Sequence, residues 1–213
     1  MELRLTEIFH SLQGEARTVG RPTVFVRLTG CPLRCVWCDT EYAFHGGQKW
    51  SLDDIRATTR RYGADYVTVT GGEPLAQPNC LPLLSGLCDD GYEVSLETSG
   101  ALDISPVDER VSVVMDLKAP GSGEQHRNLL DNIVHLRPHH QVKFVLADRR
   151  DYDWARFMLD QHDLAARVSD VLFSPVHGQL EPAELADWIL ADRLPVRLQL
   201  QLHKLLWNDA KGR

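Results

Sequence analysis

No stretch of the 213 residues is apolar for long enough to cross a bilayer, which takes roughly 20 consecutive apolar residues, so no membrane partner is expected. The opening Met1-Glu2-Leu3-Arg4 lacks a basic region followed by an apolar stretch, and no secretory signal is expected. Positive charge is scarce. Lys and Arg number 23 against 30 Asp and Glu, a net −7, which argues against a broad nucleic-acid surface. Cysteine is also sparse. There are five, an odd number, so no disulfide framework is expected and a reducing cytoplasm fits. Repeats, low-complexity runs and linkers are missing too. A single domain spanning 1–213 is the expectation, and that length supports a full core.

What is present is concentrated. Three of the five cysteines fall in the run Gly30-Cys31-Pro32-Leu33-Arg34-Cys35-Val36-Trp37-Cys38. Three thiolates can hold three irons of a [4Fe–4S] cluster and leave one iron open to a ligand. Two other readings use the same residues. A zinc site would take the three thiols with His45 as a fourth ligand. A redox pair would take Cys35 and Cys38 and leave Cys31 unexplained. A second motif, Gly71-Gly72-Glu73-Pro74, follows the apolar run Tyr66 to Thr70. Two glycines at a strand end let the backbone approach a ligand without a Cβ in the way, although the same four residues also spell an ordinary turn.

Apolar, β-branched runs alternate with helical patterns along the rest of the chain. Candidate strands are 24–28, 66–70, 92–97, 111–117, 142–146, 171–173 and 196–202. Candidate helices lie near 51–61, 81–89, 124–136, 152–161 and 182–191. Such alternation means an α/β fold with a parallel sheet. There are too few units for a closed barrel, so a partial barrel, open on one side, is expected. Parallel architectures place their sites at the C-terminal ends of strands. The cysteines, Gly-Gly-Glu-Pro, Glu97-Thr98-Ser99, Asp116-Leu117-Lys118 and Ser174-Pro175-Val176-His177 all fall at such ends. Lys143 starts a strand and is the weaker lysine candidate. Arg27 lies within a strand, a costly place for a charge unless paired. A ligand carboxylate would satisfy it, and so would Glu15 or Asp39. Gln199, Gln201 and His203 alternate along an expected strand and would share one face.

The cysteine triplet, with Trp37 just before its last member, and Gly71-Gly72-Glu73-Pro74 together resemble the two signatures of the radical S-adenosylmethionine superfamily. A finer resemblance is carried by Glu7 to Glu15, Phe25 to Cys31, Trp37-Cys38-Asp39-Thr40, Glu97-Thr98-Ser99-Gly100 and Gln201-Leu202-His203-Lys204. These runs are similar to those of the 7-carboxy-7-deazaguanine synthases, nearly end to end. The resemblance implies the superfamily's partial, open parallel β/α barrel. It implies a [4Fe–4S] cluster on Cys31, Cys35 and Cys38 whose open iron takes S-adenosylmethionine. The cofactor's contacts would be Trp37, Gly71, Gly72, Glu73, Ser99, Asp116, Lys118, Ser174, Pro175 and Val176. Substrate contacts would be Leu12, Gln13, Gly14, Glu15, Arg27, Thr70 and His203, and Thr40 would ligate Mg²⁺ with Asp39 behind it. The implied chemistry is radical ring contraction of 6-carboxy-5,6,7,8-tetrahydropterin with loss of ammonia, on the route to queuosine and other deazapurines. A flavodoxin- or ferredoxin-like electron donor and a homodimer belong to the same expectation. Some members bring the C-terminal carboxylate to the substrate. The tail here, Leu205 to Arg213, ends differently, and Arg213 is given no role. Two rivals remain open at this point, a glycyl-radical enzyme activase and a non-enzymatic zinc-binding module.

Overall fold

The computed structural model describes residues 1–208, 210 and 212. Arg213 lies outside the described residues. The described strands form one sheet. In chain order they are β1 (Glu2–Leu12), β2 (Pro22–Leu28), β3 (Gln48–Ser51), β4 (Tyr66–Gly71), β5 (Glu93–Thr98), β6 (Ser112–Asp116), β7 (Gln141–Leu146), β8 (Asp170–Pro175) and β9 (Arg197–Leu198). Their spatial order is β3-β1-β2-β4-β5-β6-β7-β8-β9. From β2 onward every neighbouring pair is parallel. β1 runs antiparallel to both β2 and β3. The partial barrel is therefore extended by an antiparallel edge that the alternation of strands and helices does not announce.

The helices are α1 (Leu52–Arg60), α2 (Cys80–Asp89), α3 (Arg149–Gln161), α4 (Leu164–Arg167), α5 (Pro182–Asp192) and α6 (Leu202–Trp207). Two starts are fixed by side-chain caps. Ser51 Oγ accepts from the Asp54 amide at 3.1 Å, and an Asp148 carboxylate oxygen accepts from that of Asp151 at 2.9 Å. Each satisfies an amide that the first helical turn leaves without a partner.

Strand periodicity sorts the two faces of the sheet. Val24, Val26 and Leu28 of β2, Val67 and Val69 of β4, and Val94 and Leu96 of β5 pack outward with Ile55 of α1 and Leu83, Leu84 and Leu87 of α2. Val113 and Met115 of β6, Val142 and Phe144 of β7 and Phe173 of β8 do the same with Tyr152, Ala155 and Leu159 of α3. Burying one such side chain contributes about 1.5–3 kcal/mol. The alternate residues face the barrel interior, and many are polar: Arg27, Thr68, Thr70, Ser95, Glu97, Asp116 and Lys143. Among the described residues a small apolar cluster there is Ala16, Val114 and Leu172.

Two expected elements differ. The helix expected over 124–136 is instead a pair of short 3-10 segments, Gln125–Arg127 and Leu130–His135. Asparagine side chains replace the helical ladder. Asn128 bonds the Lys118 amide and carbonyl at 2.8 and 2.9 Å. Asn132 bonds the carbonyls of Gly100 and Leu102 and the Ile104 amide. Such side chains compete with the helix for backbone partners. The strand expected over 196–202 is reduced to Arg197–Leu198, and α6 begins at Leu202. His203 therefore sits on a helix, not on a strand face with Gln199 and Gln201.

Candidate active site

A cavity of about 310 Å³ opens at the C-terminal ends of the parallel strands. Cys31, Cys35, Trp37, Cys38 and Thr40 line it from the loop after β2. Gly71 and Gly72 line it from the end of β4, Ser99 from the end of β5, and Asp116 and Lys118 from the end of β6. Leu12, Gln13, Gly14, Glu15, Arg27, Thr70, Val176 and His203, also expected, line it as well.

Three expected contacts do not reach the cavity. Ser174 and Pro175 end β8 buried, away from the lining. Glu73 is fully buried and turned into the protein. Its carboxylate accepts from the Thr98 hydroxyl at 2.9 Å, the Ser99 amide at 2.7 Å, the Ser99 hydroxyl at 2.5 Å and the Leu75 amide at 3.0 Å. The carboxylate clamps the end of β5 to the turn after β4. The glycines before it also have a packing role. A Cβ on Gly72 would lie 2.7 Å from Cys31 Cβ, and one on Gly71, at φ +149°, would meet the Leu28 backbone. Both collisions are inside van der Waals contact, and only glycine lets the end of β4 lie against the cysteine loop. The Gly72 amide donates to the Leu28 carbonyl at 3.2 Å and the Glu73 amide to that of Gly30 at 2.8 Å.

The donor set fits an iron–sulfur cluster. All five cysteines carry free thiols. Burial pushes the Cys35 thiol up to about 11 and raises Cys31 and Cys38, while Lys118 pulls each of the three back. Thiols in such surroundings ionise when a metal takes them. Among the described residues no three His, Cys, Asp or Glu side chains converge as a single metal ion requires. A cubane needs no such convergence, because each thiolate meets a different iron. His45, the fourth ligand of the zinc reading, is exposed and outside the cavity. Asp116 offers a further mark of a ligand. Its Oδ2 pairs with Lys118 Nζ at 3.0 Å, while its buried Oδ1 has no partner among the described residues. A buried acceptor left unpaired is costly and marks a place for a bound donor.

The other half of the cavity is built around carboxylates and one lysine. Lys143 Nζ lies 2.7 Å from Glu15 Oε2 and 3.8 Å from Asp116 Oδ2. Burial disfavours its charge, but Glu15, Asp116 and Glu97 outweigh that and hold its pKa above the usual lysine range. Lys143 lies within β7 with its side chain in the interior. Judging it from its place near a strand start therefore missed a central residue. Its partner Glu15 is 128 positions away, and no local pattern reveals that. Glu97 lines the same space. Burial, and then the neighbouring Glu15, raise its pKa, while Lys143, a hydrogen bond from Thr70 and Arg27 pull it down. Gln13 is only 2 % exposed and largely engaged. Its Nε2 donates to Thr68 at 3.0 Å and its Oε1 accepts from the Glu15 amide at 3.1 Å.

Arg27 finds neither Glu15 nor Asp39. Its Nε donates to Glu7 Oε1 at 2.8 Å, an oxygen that also accepts from Tyr42. The guanidinium lies 5.7 Å from the Phe9 ring and 5.9 Å from that of Tyr42, and Phe9 stacks on Phe25 at 4.9 Å. An aromatic wall thus flanks a fixed cation. α6 closes the site. Its first amide, Leu202, donates to the Gly14 carbonyl at 3.0 Å. Gln201, just before it, bonds both Glu15 and Asp39 at 3.1 Å. Asp39 also accepts from the Thr40 hydroxyl at 2.8 Å and lies 3.4 Å from Lys204. Burial would raise the Asp39 carboxyl, but Lys204 and these hydrogen bonds carry it well below the usual range.

Residues 25–120 match the family model of the radical SAM superfamily. The chain is 44% identical to the 7-carboxy-7-deazaguanine synthase of Koribacter versatilis, over 99% of this chain and 100% of that one. It is 45% identical to the enzyme of that name from Chlorobaculum tepidum, over 99% and 97%. Among solved structures it matches QueE from Escherichia coli with a TM-score of 0.76 and 25% identity, over 95% of each chain. Archaeal TYW1 shares the fold at a TM-score of 0.59 and 12% identity, over 79% of this chain and 70% of that one.

Proposed function

The chain belongs to the 7-carboxy-7-deazaguanine synthases of the radical SAM superfamily, and from that membership we propose how its cavity divides the work. It is a radical SAM lyase, and the family carries a [4Fe–4S] cluster and S-adenosylmethionine. The observation that supports the reading most is one continuous cavity. Three thiols line one part of it, and a carboxylate–lysine–arginine set lines another. When bound, the cluster and S-adenosylmethionine supply one-electron reduction and a carbon-centred radical.

Cys31, Cys35 and Cys38 would hold the cluster. The Asp116–Lys118 pair, with Ser99, Trp37, Val176 and the Gly71–Gly72 backbone, would orient the cofactor, and the unpaired Asp116 Oδ1 would be open to one of its donors. The substrate is 6-carboxy-5,6,7,8-tetrahydropterin, which contracts to the deazaguanine with loss of ammonia. Arg27 takes its carboxylate through the terminal guanidinium nitrogens, with Nε already fixed by Glu7. Glu15 and Glu97 accept from the N–H groups of the pterin edge, with Thr70 and His203 beside them. Gln13 holds Glu15 in place rather than reading the substrate itself. Phe9, Phe25 and Tyr42 give the ring an apolar wall and exclude water.

Thr40 and Asp39, joined at 2.8 Å, would hold a Mg²⁺ ion there, and the ion would supply positive charge beside the substrate. A flavodoxin- or ferredoxin-like donor would supply the electron, and the enzyme works as a homodimer in the cytoplasm. No described helix is long and apolar enough to cross a membrane.

The test is anaerobic incubation of reconstituted protein with reductant, S-adenosylmethionine and the carboxytetrahydropterin, followed by mass detection of 7-carboxy-7-deazaguanine. S-adenosylmethionine cleavage that the pterin does not stimulate, with no deazaguanine formed, would overturn the reading.

Two variants probe single roles. Arg27→Lys keeps the charge but loses the planar fork. It is expected to weaken pterin binding by about 1–3 kcal/mol and to leave S-adenosylmethionine binding unchanged, as titration calorimetry reads directly. Thr40→Ala is expected to make turnover slower and indifferent to added Mg²⁺. A lone hydroxyl binds this ion weakly, so metal and substrate affinities in the parent should rise together. Mg²⁺ titrations with and without pterin check this, and equal affinities would assign the ion to another group.

A further inference from the structure

We propose that Asp151 is a positioning residue for the cysteine loop: through Gly121 and Ser122 its carboxylate fixes the shape in which the three thiols await their cluster. The inference rests on the cluster reading above. Asp151 is 1% exposed and stands behind the cavity, outside its lining. A carboxylate so buried is costly unless its oxygens are bonded. Oδ1 accepts from the Gly121 amide at 2.7 Å, and Oδ2 accepts from the Ala147 amide at 3.1 Å. Gly121 belongs to the short 3-10 segment Pro120–Ser122 beyond β6, and Ala147 follows the end of β7. The start of α3 thus draws together the ends of two neighbouring strands.

The tie continues to the cysteines. The Ser122 carbonyl accepts from the Val36 amide at 3.0 Å. Ser122 Oγ accepts from the Glu124 amide at 3.1 Å, and Glu124 Oε1 accepts from the Arg34 amide at 2.7 Å. Arg34 and Val36 flank Cys35. Both amides beside the middle cysteine are therefore held by 122–124, and that segment is held by Asp151. Trp37 rests on the same support. A Cβ on Gly121 would lie 2.6 Å from Asp151 Oδ2 and 3.1 Å from Trp37 Cη2, so only glycine fits between the carboxylate and the ring.

A loop that brings three thiolates to one cluster gives up conformational freedom when it binds. Order imposed beforehand removes that cost from binding, and residues behind the ligands impose it at metal sites. Support for the start of α3 alone would be a different role. Asp148 already caps that helix, accepting from the Asp151 amide at 2.9 Å. The cap and the tie therefore use different side chains, and mutation separates them.

The experiment uses the whole chain, first free of cluster with its thiols reduced, then reconstituted anaerobically with iron and sulfide. Amide exchange is followed by NMR on the cluster-free protein. Asp151→Ala and Gly121→Ala break the tie from its two sides. Each should speed exchange at the Val36 amide about tenfold or more and leave the Val69 and Val113 amides at the parent's rate. Each should also take up iron and sulfide more slowly than the parent. Asp148→Ala removes the cap but not the tie, and should match the parent at Val36 and in iron uptake. Parent-like exchange at Val36 in both tie variants would overturn the proposal. So would exchange raised equally at Val36, Val69 and Val113, which makes Asp151 a support of the whole fold. Val36 exchange raised as much by Asp148→Ala, or fast exchange with parent-like iron uptake, would overturn it as well. If Asp151→Ala does not fold, Gly121→Ala decides alone. A parent that takes up no iron or sulfide would instead remove the cluster reading, whatever the exchange rates show.

Discussion

Cys35→Ala is expected to purify with iron far below the parent's and to cleave no S-adenosylmethionine. The same holds for Cys31→Ala and Cys38→Ala. The three thiols line one cavity with Lys118 nearby, and two thiolates do not hold a cubane whose fourth iron already lacks a protein ligand. Cys80→Ala and Cys88→Ala supply the contrast. Cys80 is buried in the α2 core, where burial pushes its thiol up to about 12. Cys88 is half-buried beside the same core. Both pack as small apolar residues, so their alanine variants should keep full iron and lose only modest stability. Iron and sulfide counts on anaerobically reconstituted protein check this. Near-normal iron in any one of the three loop variants would show that the cluster is held some other way.

Lys143→Met should cost about 3–5 kcal/mol of stability and abolish pterin binding in protein that still assembles its cluster. Removing the lysine leaves Glu15 unpaired at the Oε2 end, with Asp116 and Glu97 close by. Breaking a buried pair from one side is far more damaging than never having built it. The sign with pH follows from Glu97. Its folded pKa is raised above the ordinary 4.5, so the folded protein binds that proton more readily than the unfolded chain. The resulting stability is fully present below the ordinary value and is lost as pH rises through the folded one. Lys143 lowers the folded value, so its loss widens the window. Thermal melts between about pH 4 and 7 should fall with rising pH more steeply in Lys143→Met than in the parent. Parallel curves would mean that Glu97 does not sense Lys143. Lys143→Arg should recover part of the stability.

What the sequence reveals and what it hides divide along a physical line. The cysteine triplet, the paired glycines and the helix start near 51 are local. Their chemistry is complete within a few residues, and each appears where expected. β1 has eleven residues and was not expected, because its register shifts between Leu5 and Glu7 against β2. That irregularity breaks the alternation by which a strand is read. Over 125–135 the asparagines that replace a helix find their partners on other segments. Glu73 sits in a ligand motif, yet its partners are Thr98 and Ser99, about 25 positions on. Lys143, Glu97 and Glu7 acquire their roles only when distant strands meet. His203 sits in an alternating run that a helix interrupts, so its periodicity pointed to the wrong element while the residue still reaches the cavity.

The bond between Gln201 and Glu15 spans 186 positions, and Lys204 reaches back to Asp39. In order of synthesis, then, this cavity is among the last things the chain can make. Until the ribosome has released the segment through Lys204, the loop at 13–15 lacks its Gly14 and Glu15 partners and Asp39 lacks its cation. The cysteines, by contrast, emerge early. The thiol loop is thus made long before the Gln201 and Lys204 contacts that close the cavity over it.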